Sequence, residues 1–211
     1  MINNIKKCIY LIKILEIKNK SCYNHIKEGC GNVRLFIAVN FDEKTKAKLY
    51  ETVKTLKNLA VKGNFTVREN LHLTLVFIGE TTPAKLKDIK HAIDEVKAEK
   101  FGLSIYGLGH FKRLNGDIIW VGIDNDRNSI PDSIYKQLYS KLTALGFDIE
   151  DSFKPHLTLG REVILNNSFN KIEFDKSFQP IFTEIGKISL MQSEKIDGKL
   201  IYTEIYSKEL L

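Results

Sequence analysis

The sequence predicts an α+β fold, in which strands and helices share one core without alternating strictly along the chain. Short runs rich in β-branched and aromatic residues predict strands. Apolar residues spaced by three and four predict helices between some of those strands. The two kinds of segment follow no regular βα repeat, which disfavours a parallel α/β sheet. The 211 residues suffice for one domain, and no linker or low-complexity stretch divides them after residue 32.

The predicted segments follow one another in a definite order. They are strand 35–39, helix 42–60 with a break at Gly63 and Asn64, strand 65–68, strand 71–78, helix 82–96, strand 101–106, strand 118–123, helix 131–146, strand 156–161, and strands within 182–191 and 200–206. Asp42 and Thr82 are placed as helix N-caps, and Pro131 suits the first turn of the third helix. Gly146 is placed to end that helix, and Asp197–Gly198 is typical of a hairpin turn.

The net charge of +6 is concentrated at the beginning of the chain. Residues 1–32 contain six lysines and two acidic residues, whereas the remaining 179 residues contain 26 basic and 24 acidic side chains. A broad nucleic-acid surface needs clustered positive charge, so this nearly neutral body argues against a DNA-binding protein. We expect any anion to be held in a local site. No apolar run reaches the roughly 18 residues of a membrane span, so we expect no membrane association.

Residues 1–32 have the character of an N-terminal extension. They hold all the cysteines, Cys8, Cys22 and Cys30, with only His25 nearby. This odd number lacks the CxxC spacing of a zinc site and does not suit a disulfide framework. The apolar run is too short for a signal peptide. We hypothesise that translation begins at Val33, and the cysteine-free body from there onward suits a cytoplasmic protein.

One four-residue pattern, His-Leu-Thr-Leu, occurs twice, at residues 72–75 and 156–159. Each copy begins a predicted strand. Because side chains alternate between the faces of a strand, the His and Thr of each copy point to one side and the two leucines to the other. A single such histidine is more often structural than catalytic, but two identical copies favour a shared function.

Two such strands facing each other would form a cleft with two imidazoles and two hydroxyls, which suits a phosphodiester. One neutral imidazole can accept a proton from the attacking group while the other, protonated, donates one to the leaving oxygen. The hydroxyls can bind non-bridging phosphate oxygens, and no metal or cofactor is needed. The chemistry alone leaves open which histidine has which role.

Several segments resemble the RNA 2′,3′-cyclic phosphodiesterases, also called the 2′-5′ RNA ligase family, of the two-histidine phosphoesterases. Residues 33–39 resemble the opening strand of that family. Residues 69–80 and 153–161 are similar to its two HxTx motifs, and residues 107–111 and 119–122 to its middle region. The resemblance covers 33–211, which we therefore predict to be a single bilobal domain.

The resemblance implies two pseudo-twofold-related lobes of antiparallel strands with flanking helices and a cleft between them. It implies hydrolysis of an RNA 2′,3′-cyclic phosphate end, or of a cyclic nucleotide, to a 2′-phosphomonoester without a metal, with 2′-5′ ligation as a possible reverse reaction. His72 would be the proton donor to O3′ and His156 the proton acceptor from water. Thr74 and Thr158 would bind phosphate oxygens.

Arg161 is a further candidate for phosphate binding. It lies three residues beyond Thr158, so on a regular strand it would face away from that hydroxyl. A bulge at Gly160 would bring it into the cleft. A surface salt bridge is an equally good interpretation.

The other aromatic and histidine residues are interpreted as structural. Core packing is favoured over stacking on a base for Phe111, Phe153 and Tyr106, and Trp120 is predicted to lie in the core. His110 is expected in a loop near the cleft, and His91 on an exposed or half-buried helix position.

A binding module that holds an RNA terminus without turnover is the alternative function. A pure binder has no need for a second proton-transfer group, so the two intact motifs favour the enzyme. We expect it to be a monomer.

Overall fold

The structure is a computed structural model and describes residues 31–124 and 129–211. The strands are β1 Val33–Asn40, β2 Ala60–Phe65, β3 His72–Thr81, β4 Phe101–Phe111, β5 Asp117–Ile123, β6 His156–Leu165, β7 Ile181–Ile185, β8 Lys187–Ile196 and β9 Lys199–Glu209. The helices are α1 Glu43–Asn58, α2 Leu86–Asp94, α3 Ser129–Ala144 and α4 Lys171–Ser177. Single 3₁₀ turns occupy Arg68–Asn70 and Pro83–Lys85. Predictions for residues 1–30, including the cysteines and His25, lie outside the described residues.

The strands form two antiparallel sheets. One has the order β3-β1-β8-β9 and the other the order β2-β6-β5-β4-β7. β3 is an edge strand of the first sheet and contacts β6 of the second. The prediction of an α+β fold with two antiparallel lobes is therefore confirmed, and the two strands that carry the repeated motif meet where the lobes meet.

One apolar cluster joins both sheets and the helices. The leucines of the two motifs, Leu73, Leu75, Leu157 and Leu159, are all buried in it. Helix α3 adds the predicted stripe of Ile134, Leu138 and Leu142, each fully buried. Replacing a buried leucine by alanine typically costs 2–5 kcal/mol. Core packing therefore anchors the leucine side of each motif strand and leaves its His and Thr side facing the opposite direction.

The local signals for helix starts and turns are confirmed at two places. The Asp42 carboxylate accepts a hydrogen bond from the backbone N–H of Thr45 at 2.6 Å, as expected of an N-cap for α1. Asp197 and Gly198 have φ values of 49° and 77° and join β8 to β9, as a hairpin turn with two left-handed residues requires. None of the described helices is long and apolar enough to cross a bilayer.

Other boundaries were predicted wrongly. Gly63 does not end a helix but lies inside β2. The strand predicted at 65–68 is wrong except at Phe65, because β2 runs from Ala60 to Phe65 and Arg68 begins a 3₁₀ turn. A Cβ at Gly63 would lie 3.0 Å from a Val163 methyl, so this glycine allows β2 to approach β6 closely. The run 182–191 is two strands separated at Gly186, and they belong to different sheets. Helix α4 was not predicted.

Candidate active site

His72 and His156 are the first residues of β3 and β6, and both are half-buried. In each case Nδ1 lies 2.7 Å from the backbone carbonyl oxygen two residues earlier, that of Asn70 for His72 and that of Lys154 for His156. A carbonyl oxygen can only accept, so Nδ1 of each ring carries the hydrogen and donates it. This bond orients both rings in the same way and leaves Nε2 of each as the atom that can exchange a proton.

The two motif threonines differ in their hydrogen bonds. Thr74 Oγ1 lies 2.9 Å from His72 Nε2, so it donates to the neutral ring. Within residues 31–124 and 129–211, the Thr158 hydroxyl and His156 Nε2 have no such partner, although the Thr158 carbonyl accepts a bond from Thr66 Oγ1 at 2.9 Å. The first motif is therefore closed on itself, and the second is open to an incoming group.

Both imidazoles are neutral at pH 7. The pKa of His72 is lowered to about 4, mainly by burial and also by the positive charges of Arg161 and Lys46 and of His156 when that ring is protonated, against the raising effect of the hydrogen bond at Nδ1. Burial also lowers the pKa of His156, and Arg161 acts in the same direction, while the Nδ1 hydrogen bond and Glu150 oppose them. At pH 7 the charged groups that act on His72 are therefore Arg161 and Lys46, both positive, and no carboxylate. A bound anion would raise the pKa of both rings.

Arg161 lies close enough to act electrostatically on both histidines. The regular alternation that would turn it away is interrupted, because the pairing of β5 with β6 shifts register between Gly160 and Val163. Glu162, inside this irregular stretch, has a left-handed φ of 53°. The bulge that the sequence left open is therefore present, and no salt bridge to Arg161 occurs in the described part of the chain.

Two aromatic rings contact His72. The centroid of the Phe36 ring lies 4.9 Å from that of the imidazole, and the Tyr202 ring meets the imidazole edge-on at 5.2 Å. Burial raises the pKa of Tyr202, although the charges of Arg161 and Arg34 oppose this, so the phenol keeps its proton. Neither Phe36 nor Tyr202 was predicted from the sequence to lie at the site. These two rings form the aromatic wall on the His72 side.

Two other rings contact His156, and they correct two predictions. Phe111 meets the imidazole edge-on at 5.0 Å, and the Trp120 ring centroid lies 6.1 Å from it. Both rings were predicted to lie in the core, but they are half-buried and lie beside His156. Ile119 and Val121 are buried on either side of Trp120, so alternation along β5 turns the indole to the opposite face, where Thr158 lies across from it. Phe111 and Trp120 form the aromatic wall on the His156 side.

Among the described residues, none of the remaining candidates forms a hydrogen bond or ring contact with His72 or His156. Phe153 stacks on Tyr135 at 5.0 Å and packs against the core, as predicted. Tyr106 was predicted to pack in the core, but its side chain is 46% exposed. Its neighbour Ile105 is buried, and alternation along β4 turns Tyr106 to the opposite face. His110 is exposed on β4, which extends farther than predicted, and so does not lie in a loop. His91 is exposed on α2, as expected, and its Nε2 lies 3.7 Å from a Glu95 carboxylate oxygen.

A polar cluster behind His72 was also missed. Glu204 accepts hydrogen bonds from Lys187 Nζ at 3.0 Å, Ser189 Oγ at 2.6 Å and Asn40 Nδ2 at 3.3 Å. Burial opposes ionisation, but these hydrogen bonds and the Lys187 charge hold the pKa of Glu204 below its usual range. Asn40 is the cross-strand partner of His72, so the cluster ties the strand beside His72 to β8 and β9. No group of three or more metal-ligating side chains occurs in the described ranges.

Comparisons with known proteins agree with this architecture. A family model for LigT-like phosphoesterases matches residues 39–120. A protein of Archaeoglobus fulgidus is 35% identical over 131 residues, 61% of this chain and 72% of that protein. One of Methanothermobacter thermautotrophicus is 30% identical over 179 residues, 82% of this chain and 96% of that protein. Both relatives are named RNA 2′,3′-cyclic phosphodiesterase.

The chain belongs to the LigT-like phosphoesterase family. It is therefore an enzyme, a hydrolase, and the resemblance seen in the sequence is confirmed. The crystal structure of Escherichia coli LigT in its apo form superposes with a TM-score of 0.70 at 22% identity, covering 85% of this chain and 98% of that one. A Thermus thermophilus protein superposes with a TM-score of 0.66 at 22% identity, covering 84% and 97%. Both likenesses concern the fold.

Proposed function

We propose that this enzyme hydrolyses 2′,3′-cyclic phosphate ends of RNA to 2′-phosphomonoesters by acid–base catalysis without a metal. The observation that carries the proposal is the matched pair of imidazoles. Each is held through Nδ1–H by a backbone carbonyl, and both lie near Arg161. The names of the curated relatives support this substrate class. A 2′,3′-cyclic phosphate requires a 2′-oxygen, which DNA lacks, so DNA is not a substrate.

The proposed reaction moves one proton at each histidine. His156 Nε2 accepts a proton from water, and the water oxygen bonds to phosphorus. The bond from phosphorus to O3′ breaks, and O3′ takes the proton from His72 Nε2. The product is a 2′-phosphate with a free 3′-hydroxyl, and proton exchange with solvent restores the starting state. General acid–base catalysis of this kind typically contributes 10²–10⁴-fold in rate.

His72 must be protonated before it can act as the acid, and its pKa of about 4 makes the substrate's charge essential. The anionic phosphate would stabilise the imidazolium and raise this pKa. Protonation also changes the Thr74 bond, because Nε2–H can no longer accept a hydrogen from the hydroxyl. Thr74 is then available to donate to a non-bridging phosphate oxygen, together with Thr158 and with the positive charge of Arg161.

The same chemistry allows ligation. If a 5′-hydroxyl of a second RNA replaces water, its proton passes to His156 and its oxygen bonds to phosphorus, and the departure of O3′ leaves a 2′-5′ linkage. The sequence from Val33 onward contains no cysteine, which suits the reducing cytoplasm, where we propose the enzyme acts as a monomer.

The test is incubation of the purified protein with a short RNA ending in a 2′,3′-cyclic phosphate, with EDTA present. We expect a 2′-phosphate product, identified by its resistance to an enzyme specific for 3′-phosphates. The variant His156→Ala serves as the control for contaminating nuclease. A 3′-phosphate product would contradict the assigned leaving oxygen. Loss of activity on chelation would contradict metal independence, and tight binding without turnover would favour the RNA-binding module.

A further inference from the structure

The hairpin that joins β4 to β5 extends beyond the aromatic wall at His156. Its tip, residues 112–116, includes Lys112, Arg113 and Leu114, all exposed, and Leu114 is 100% exposed. Neither cation forms an ion pair within the part of the chain that the structure describes. The Arg113 guanidinium donates to the Lys112 carbonyl at 3.0 Å, and Asp117 accepts only from the Arg113 backbone, at 3.4 Å. Both positive charges are thus available to a ligand.

The hairpin is attached to the active site at both ends. β4 ends at Phe111, whose ring meets His156, and an extended chain rises about 3.4 Å per residue, so the Arg113 backbone lies within about 7 Å of that of Phe111. On the returning side Gly116 has a φ of +123°, and a Cβ there would lie 2.6 Å from the Glu162 backbone, next to Arg161. Gly116 therefore holds the returning end of the hairpin against the strand that carries Arg161.

Trp120 is half-buried and lies on β5 between Gly122, the cross-strand partner of His156, and this tip. Its indole lies over Gly109 of the neighbouring strand so closely that a Cβ there would lie 2.2 Å from the ring. The indole Nε1 is buried and has no hydrogen-bond partner among the described residues. Aromatic rings beside cations are the usual components of sites for single-stranded RNA, in which bases stack and phosphates pair with Lys and Arg.

The position of this surface relative to the reaction identifies its ligand. The attacking and leaving oxygens lie on opposite sides of phosphorus in phosphoryl transfer. With His72 at the leaving O3′, the cyclic-phosphate nucleotide lies on the side of Phe36 and Tyr202, and the attacking group lies on the side of His156. Water needs neither an aromatic surface nor two cations. A second RNA strand that supplies a 5′-hydroxyl can use both, the ring for its base and the cations for its phosphates.

We propose that Trp120, Lys112 and Arg113 form the binding site for a second RNA strand, which bears the 5′-hydroxyl that attacks the cyclic phosphate. The inference rests on the proposed function and on its assignment of His72 as the acid. The 5′-hydroxyl gives its proton to His156 Nε2 and bonds to phosphorus, and O3′ takes a proton from His72 Nε2, so a 2′-5′ linkage forms without any co-reactant.

The test compares two reactions of the same variant, Lys112→Gln/Arg113→Gln. The donor is a 5′-phosphorylated RNA with a cyclic phosphate end, and the acceptor is a 5′-hydroxyl RNA with a blocked 3′ end. Each phosphate contact on a single strand releases about 0.7 counterion, which corresponds to roughly fourfold in affinity at 0.15 M salt. We expect the acceptor concentration needed for half-maximal ligation to rise roughly fifteenfold, while hydrolysis of the donor alone stays close to that of wild type.

A matched control removes two exposed lysines that lie on helices, Lys57→Gln/Lys87→Gln, and should leave both reactions unchanged. If ligation and hydrolysis fall together, the hairpin binds the donor strand and the inference is wrong. If neither changes, the hairpin binds no RNA and the inference is equally wrong. Both results leave the proposed hydrolysis intact, because the wild-type protein still converts the donor.

Fluorescence anisotropy with a labelled 5′-hydroxyl RNA tests the site independently of turnover. We expect wild type to bind this RNA, with an affinity that the hairpin substitutions reduce to the same extent as they impair ligation. A wild-type protein that neither binds nor joins the second strand would overturn the inference. Circular dichroism melting shows whether the substituted hairpin still belongs to a folded protein.

Discussion

His72 makes the free energy of unfolding depend on pH. Its pKa is about 4 in the folded protein, and in the unfolded chain it has the ordinary value near 6.5. Between these values the unfolded chain binds a proton at this imidazole and the folded protein does not. Stability is therefore complete above pH 6.5 and decreases as the pH falls toward 4. The difference between the two pKa values corresponds to about 3 kcal/mol.

The substitution His72→Gln removes this titration while it keeps a polar side chain. We expect wild type to lose about 3 kcal/mol more stability than the variant between pH 7 and pH 4. Carboxylates also titrate in this range, but they are common to both proteins and cancel in the comparison. Urea unfolding at a series of pH values, followed by circular dichroism, measures the difference directly.

The control is His91→Gln, which removes an exposed histidine on α2. Its stability should follow that of wild type across the same pH range. Stability curves for wild type and His72→Gln that run parallel from pH 7 to pH 4 would refute the argument. Inorganic phosphate should reduce the pH-dependent loss in wild type, because an anion in the cleft favours the charged imidazole.

Three further predictions concern the cleft and its support. Thr74→Ala and Thr158→Ala each remove a donor to phosphate and should lower kcat/KM by the equivalent of about 1–3 kcal/mol. The melting temperature should not change. At both positions the isosteric Thr→Val variant keeps the shape and the Thr→Ser variant keeps the hydroxyl, so the pair separates the two contributions. Gly109→Ala places a methyl group against the Trp120 indole and should lower the free energy of unfolding in urea by about 1–3 kcal/mol. The control Gly102→Ala should have little effect, because its methyl group would have no atom within 4 Å. A chain that begins at Val33 should melt cooperatively and keep its turnover, because both motifs and the apolar core of the described residues lie in 33–211. Loss of either property would show that residues 1–32 support the body.

The sequence was sufficient to predict the two motif strands, since strand alternation alone puts leucines in the core and the His and Thr side chains on the other face. The Asp42 cap and the Asp197–Gly198 turn were predictable for the same kind of reason, because each depends on a local backbone requirement. Alternation would also have identified Trp120 as a cleft residue, since its two neighbours on β5 are apolar and buried.

Features that depend on contacts between distant segments could not be predicted in this way. The position of Arg161 depends on a bulge in the pairing of β5 with β6, which no local pattern specifies. Tyr202 reaches His72 only because the pairing of β9 with β8, and of β8 with β1, brings into one sheet two residues that are 130 positions apart in the chain. The meaning of Gly63 was misjudged because a glycine that ends a helix and one that admits a neighbouring strand have the same sequence signal.

The central claim is that two imidazoles transfer protons on one phosphate. The most direct measurement is kcat on an RNA cyclic phosphate for His72→Ala, His156→Ala and the double variant, with melting temperature measured in parallel. We predict that each single variant remains folded and loses on the order of 10²–10⁴ in kcat, and that the double variant loses much less than the product of the two, because acid and base act on one transition state. Near-normal turnover by either folded single variant would contradict the mechanism.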